Sequence, residues 1–182
     1  MASIITATTT SGLTQSADNS GVLQLASGTG NLVTIPSVTG TAMVSGNMPA
    51  FSAYLSGNQS ISANTFTKAQ FNTEEFDTAN CFNTSTYRFT PNVAGYYQVN
   101  LMIYTSGSGS TQGNGMIYKN GASAKGTFQN IANGQALPIP ALIYLNGSTD
   151  YIEAYGYIGT ASGVIAGDAN YCYFQAYLAR AA

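Results

Sequence analysis

The run from Tyr87 to Leu101 constrains the fold more than any other stretch of the chain. Tyr87, Arg88 and Phe89 read as the end of a strand, because Pro91 fixes φ and removes a backbone donor. Asn92 to Gly95 reads as a turn, with Gly95 able to take a positive φ at its exit. Beyond it Tyr97, Val99, Leu101 and Ile103 alternate with Gln98 and Asn100, the period-two pattern of a strand with one face in a core. Similar runs, bounded by Gly, Ser and Asn, predict strands over 50–55, 65–71, 80–83, 86–90, 95–105, 114–119, 123–129, 139–145, 150–158 and 171–180. No stretch carries a convincing helical repeat. About ten strands with polar loops between them predict an all-β sandwich of jelly-roll type.

Residues 1–48 differ from residues 49–182. The first part holds short β-like pieces, Val22 to Leu25, Asn31 to Ile35 and Thr41 to Val44, each too short to build a core. It is expected to be a β-rich attachment segment, and Leu13, Val22, Leu23, Leu25, Leu32, Val33 and Ile35 are its candidate contact residues. Met1 to Ile5 lacks a cationic start and a long apolar run, so no signal peptide is expected. No apolar stretch approaches the ~20 residues of a membrane span.

Only 7% of the 182 residues are charged, with a net charge of −2, against roughly 25% charged in typical soluble domains. An uncharged polar surface is easier to bury against a copy of itself, because no ions need desolvating. Without a cluster of Lys or Arg, nucleic-acid binding through counterion release has no basis. Cys81 and Cys172 make no disulfide framework and are expected to be small buried side chains in a chain folded in a reducing cytoplasm.

Five motifs occur in order: Phe89 and Pro91 with Gly95-Tyr96-Tyr97; Lys119-Asn120-Gly121; Leu145 with Asp150-Tyr151-Ile152; and Phe51 to Leu55 echoed by Phe174 to Leu178. Asn120-Gly121 suits a type I′ hairpin. Together these motifs resemble a C1q/TNF-like jelly-roll domain over residues 50–180. One departure is that Gly147, Ser148 and Thr149 separate Leu145-Asn146 from Asp150, with no glycine directly before the aspartate. The resemblance implies that the first and last strands pair. It also implies that three copies pack one sheet around a threefold axis, and that the domain binds or assembles rather than catalyses. Gly12 to Leu25 is similar to a segment of bacteriophage tail and fibre proteins.

The absence of histidine removes Ser-His-Asp triads, Cys-His dyads and His-based metal sites. Glu74, Glu75 and Asp77 are the one acidic cluster and read as a solvated loop, far from a calcium-loop spacing. Gly107 to Gly115 has the glycines of a phosphate loop but no lysine, and reads as a hairpin loop. Neither an enzyme nor a cofactor is expected.

Tyrosine remains. Alternation puts Ile152, Ala154 and Ile158 in the core with Tyr151, Glu153, Tyr155 and Tyr157 opposite. It likewise puts Phe174, Ala176 and Leu178 inward with Tyr171, Tyr173 and Tyr177 outward. These six tyrosines could stack on sugar rings or line a subunit interface, and the trimer implied by the resemblance favours the interface. The expectation is a homotrimeric virion structural protein: a capsid decoration, cement or head-fibre protein docked on the major capsid protein or another virion protein. The alternatives are a tail-fibre tip recognising a host surface glycan or protein, and a secreted lectin-like adhesin. The expected location is the particle surface, after synthesis in the host cytoplasm. The loops at 57–64, 106–113, 130–138 and 159–169 are the segments open to recognition.

Overall fold

The computed structural model describes the backbone of residues 23–27 and 31–35, and residues 48–109, 112–130, 134–159 and 162–182. The chain divides into two units, Met1–Ala42 and Met43–Ala182. In the first, β1 (Leu23–Ser27) and β2 (Asn31–Ile35) form an antiparallel hairpin in which Leu23 lies opposite Ile35 and Leu25 opposite Val33. Thr41 to Val44, Leu13 and Val22 lie outside the described residues.

The second unit is a sandwich of two antiparallel sheets. The larger is built on β9 (Ala94–Ser106), the longest strand. Along one edge β9 pairs with β12 (Gln135–Asn146) over twelve residues. Along the other it pairs first with β15 (Tyr173–Ala181) and then with β14 (Gly163–Ile165). The sheet continues from β15 to β3 (Ala50–Tyr54) and β6 (Thr73–Asp77), and from β14 to β4 (Gln59–Ile61). The smaller sheet runs from β11 (Ala122–Asn130) through β10 (Gln112–Lys119) to β13 (Ile152–Ile158). The far edge of β13 takes β5 (Thr67–Lys68) and β8 (Arg88–Phe89), and β7 (Phe82–Asn83) pairs with β8. No helix occurs among the described residues.

The core lies between the sheets and obeys the alternation. Tyr97, Val99, Leu101 and Ile103 of β9 are buried, as are Leu137, Ile139, Ile143 and Leu145 of β12. Phe51 joins the two layers: its ring stacks on Phe82 at 4.7 Å and Phe89 at 4.5 Å and meets the edge of Phe174 at 5.1 Å. Each such pair adds about 0.5–1.5 kcal/mol beyond its buried area. Phe174 lies opposite Ala53 and Ala176 opposite Phe51, so the echoed first and last strands are neighbours. Asn120 and Gly121 both have positive φ, 53° and 80°, as the type I′ hairpin requires.

Several expectations are corrected. Gly95 does not use a positive φ. A Cβ there would come within 2.3 Å of the Arg180 carbonyl oxygen, so the glycine admits β15 at its bulge. Gly107 to Gly115 is not a hairpin loop, because β9 and β10 belong to different sheets and the segment crosses between them. Glu74 to Asp77 is strand, not loop, and Asp77 accepts hydrogen bonds from the amides of Ala79 and Phe82. The supposed loops at 57–64 and 159–169 contain β4 and β14, and 135–138 begins β12. Pro138 and Pro140 are tolerated there because β12 has a partner along one edge alone. The predicted strands 65–71, 80–83 and 86–90 shrink to the pairs of β5, β7 and β8, and β4, β6 and β14 join the ten predicted, so the described residues hold thirteen strands from β3 to β15. The altered spacing before Asp150 makes a turn centred on Asn146. Its side-chain oxygen accepts the amides of Ser148, Thr149 and Asp150, and Gly147 has φ +71°.

Candidate functional site

The six candidate tyrosines fall into three places. Tyr173 and Tyr177 project from β15 on the outer face of the larger sheet. Tyr155 and Tyr157 project from β13 on the outer face of the smaller sheet, with Tyr151 just before that strand. Tyr171 precedes β15 in a turn whose amide bonds the Asp168 carbonyl, and with Tyr104 and Asp168 it lines a depression of about 580 Å³.

Register builds the outer face of the larger sheet row by row. Thr73, Tyr54, Tyr173, Met102 and Pro138 lie side by side across five strands. The next row is Phe76, Ser52, Gln175, Asn100 and Pro140, and the next is Ala50, Tyr177, Gln98 and Leu142. Tyr96 and Tyr144 close the face, their rings edge-on at 5.5 Å. No position in the first three rows is charged, and the last, with Tyr96 and Tyr144, brings in Arg180 opposite Tyr96. Phe76, Tyr96, Leu142, Tyr144 and Tyr177 are each 42–57% exposed, an apolar patch larger than scattered surface residues would make. Charges stand at its margins. Glu75, the bulged residue of β6, accepts from the Ser52 hydroxyl, which in turn accepts from Gln175 Nε2 at 3.0 Å. Lys119 Nζ reaches the Tyr144 carbonyl at 2.7 Å, and Arg180 is exposed near the end of β15. Phe76, Leu142 and Tyr144 escaped the sequence reading, and Tyr96 stood in it only as one of a tyrosine pair. The signal for two of them is β12, which is apolar on both sides: Ile139, Ala141, Ile143 and Leu145 inward, Leu142 and Tyr144 outward.

The outer face of the smaller sheet is arranged differently. Glu153 lies there as alternation predicts, yet it is 1% exposed. Lys68 Nζ and Arg88 Nε cover it, both reaching Glu153 Oε1, at 2.6 and 2.7 Å. Burial pushes the Glu153 carboxyl up, but the bonds from Lys68 and Arg88 outweigh it and hold it below the usual range. The bond to Glu153 also raises the Arg88 guanidinium, which sits 4.1 Å above the Tyr151 ring. Tyr155 packs on Tyr118 at 3.9 Å, and burial raises its phenol. Tyr157 packs on Phe66 at 5.1 Å and donates to Asn64. These three tyrosines are therefore engaged within their own chain.

Beside this cluster is a cleft of about 410 Å³, lined by Lys68, Gln70, Ser85, Thr86, Tyr87 and Arg88. Tyr87 has φ 58°, a left-handed conformation costing a non-glycine residue on the order of 1–2 kcal/mol. The Lys68–Arg88–Glu153 group was missed in the sequence. Its signal is a charge in mid-strand, Arg88 between Tyr87 and Phe89 and Glu153 between Ile152 and Ala154, in a chain with few charges to spend. Among the described residues no group of three or more Cys, Asp or Glu is placed to hold a metal.

The chain matches no protein-family model and no curated protein. It is similar to several solved structures. Eiger TNF from S. frugiperda superposes with a TM-score of 0.58 at 11% identity, covering 74% of this chain and 93% of that one. The globular domain of zebrafish complement 1qA protein gives 0.55 at 18% identity, covering 74% and 98%. Murine APRIL at pH 5.0 gives 0.58 at 7% identity, covering 72% and 98%. The sandwich of residues 50–181 thus has the C1q/TNF-like jelly-roll fold.

Proposed function

We propose that this chain is the subunit of a homotrimeric structural protein of a bacteriophage virion, a capsid decoration or head-fibre protein without catalytic activity. The observation that carries the assembly is the uncharged, aromatic outer face of the larger sheet. Three such faces closed around an axis would bury Tyr173, Tyr177 and Leu142 with no charge in their rows to desolvate, leaving Arg180 and Lys119 at the end where Tyr96 and Tyr144 stand. The fold supports this reading, and so does the similarity of Gly12 to Leu25 to phage fibre segments. The N-terminal segment is the attachment element in this proposal, with Leu23, Leu25, Leu32, Val33 and Ile35 of the β1–β2 hairpin as its contacts to the major capsid protein. A tail-fibre tip is the second reading, favoured by the Lys68–Arg88 cleft, which a trimer closed through the larger sheet leaves open.

Two measurements test this. Light scattering of the purified chain should give three times the subunit mass, and a monomer across the accessible concentration range removes the assembly. Quantitative mass spectrometry of purified particles should give a copy number that scales with the capsid lattice. A few copies in a multiple of three favour the tail tip, and absence from particles removes the virion assignment.

A further inference from the structure

The geometry points to the cleft between β5 and the β7–β8 turn as a binding site for a carboxylate-bearing sugar, in its simplest form a hexuronic acid. Two of the chain's five cations, Lys68 and Arg88, line it, and one carboxylate, Glu153, is shared between them. The group therefore carries an excess positive charge. Glu153 takes Arg88 through Nε, which leaves the two terminal nitrogens of the guanidinium out of that bond. The contact of Arg88 Cζ with the Tyr151 ring, 4.1 Å from its centroid, helps hold the guanidinium in place. The Lys68 and Arg88 side chains remain 30% and 39% exposed. A planar, pre-oriented guanidinium beside an ammonium is suited to a carboxylate.

The rest of the lining is suited to a sugar ring. Ser85 and Thr86 offer hydroxyls and Gln70 an amide. The turn that carries the first two is held by the Asn83 side chain, which accepts the amides of Ser85 and Thr86 at 2.9 Å each. Tyr87 supplies an aromatic wall. Its amide closes the turn onto the Asn83 carbonyl at 2.7 Å, in a backbone conformation that favours glycine or asparagine. A non-glycine residue held in such a conformation is a pointer to function. The cleft volume lies within the range of small-molecule sites. Every lining residue belongs to one chain and none stands in the rows of the larger sheet's outer face, so the site stands whether or not the chain assembles.

D-glucuronate and D-glucose differ at C6, carboxylate against hydroxymethyl, and make a matched pair of probes. Ligand-observed saturation-transfer NMR on the whole chain should show saturable binding of glucuronate with a Kd on the order of 1 mM, the scale for a ligand of this size. Glucose should bind at least about tenfold more weakly, as should sulfate, which has charge without the ring or a proton to observe and is read by its displacement of glucuronate. Tyr87→Gly relieves the backbone and should fold at least as well as the parent, yet lose about tenfold in glucuronate affinity, and Lys68→Gln should lose a similar factor. The site is overturned by glucose binding as well as glucuronate, by sulfate binding as tightly, by Tyr87→Gly keeping the parent affinity, or by no saturable glucuronate signal well above that Kd. A monomer that binds glucuronate would refute the trimer and leave this site standing.

Discussion

Replacing Tyr177 by aspartate isolates the role of the larger sheet's outer face. Tyr177 is 51% exposed, so on the order of 100 Å² of a side chain that buries roughly 150–250 Å² is left for a partner. At ~25 cal/mol per Å² that area is worth about 2.5 kcal/mol per contact. Ordering and desolvation of neighbouring groups reduce the figure. The aspartate adds a charge among Ala50, Gln98 and Leu142, none of which carries an opposite charge, with Arg180 the cation of the next row, and burying it costs up to a further few kcal/mol. About 4 kcal/mol per contact follows. Even half of that, repeated over three contacts, shifts the trimer constant by about four orders of magnitude. Light scattering and sedimentation over a dilution series should show monomers of Tyr177→Asp with the circular-dichroism spectrum of the parent. Tyr171→Asp is the control, since Tyr171 is 56% exposed but stands outside the rows, and it should stay assembled. A trimeric Tyr177→Asp, or two variants that dissociate alike, refutes the reasoning.

Phe51→Ala removes the ring that joins Phe82, Phe89 and Phe174 across the layers. It should cost about 3–5 kcal/mol in denaturant unfolding, and a loss below about 1 kcal/mol contradicts the packing. Asp150 is held below its ordinary value by Asn120 and Lys119, and Glu153 by Lys68 and Arg88 against its burial. Lowered folded-state values mean that the unfolded chain takes up these protons first. Their stabilisation is whole above the unfolded values and lost as pH falls through the folded ones. The thermal midpoint should hold from neutrality to about pH 5 and drop below it. Asp150→Asn should shallow that drop, and a midpoint that rises on acidification contradicts both assignments. Burial raises both thiols, Cys172 to about 11. Iodoacetamide at neutral pH should therefore label neither cysteine in the native chain and both in denaturant, and rapid native labelling of Cys172 contradicts its burial.

The inward faces were legible in the sequence because a long strand with one buried side writes its period directly. β9, β13 and β15 each bury the residues that alternation marks. The Phe51–Leu55 echo of Phe174–Leu178 was legible for the same reason, since two neighbouring strands of one sheet face one core. The strands that escaped notice, β4, β6 and β14, are short or polar: β4 and β14 have three residues each and β6 carries Glu74, Glu75 and Asp77, and their pairing is set by a neighbour's free edge rather than by a pattern of their own. Which sheet each tyrosine faces was not legible either. Alternation separates inside from outside, but β13 and β15 lie in different layers, so two outward stripes alike in sequence point in opposite directions. The Glu153 group needed partners 65 and 85 positions away, Arg88 and Lys68, and no local spacing announces such a contact.

The edges of the larger sheet bear on how its face is used. A monomer with an uncharged aromatic sheet face risks indiscriminate association, and an unprotected sheet edge adds the risk of strand-to-strand growth. Here the edges are guarded. β12 carries Pro138 and Pro140, each without an amide donor, and β6 carries Glu74, Glu75 and a bulge. Both devices block the addition of another strand. The middle of the face between them has no such device: Gln98, Asn100 and Gln175 are its strongest polar groups, and Arg180 stands at one end, opposite Tyr96. A surface guarded at its edges and open on its face favours contacts made face to face around a closed axis, and disfavours the edge-to-edge contacts that propagate into fibrils. That asymmetry connects the scarcity of charge in the sequence to the proposed assembly through the larger sheet, which would leave the smaller sheet, where Lys68, Arg88 and Glu153 are gathered, open to the proposed ligand.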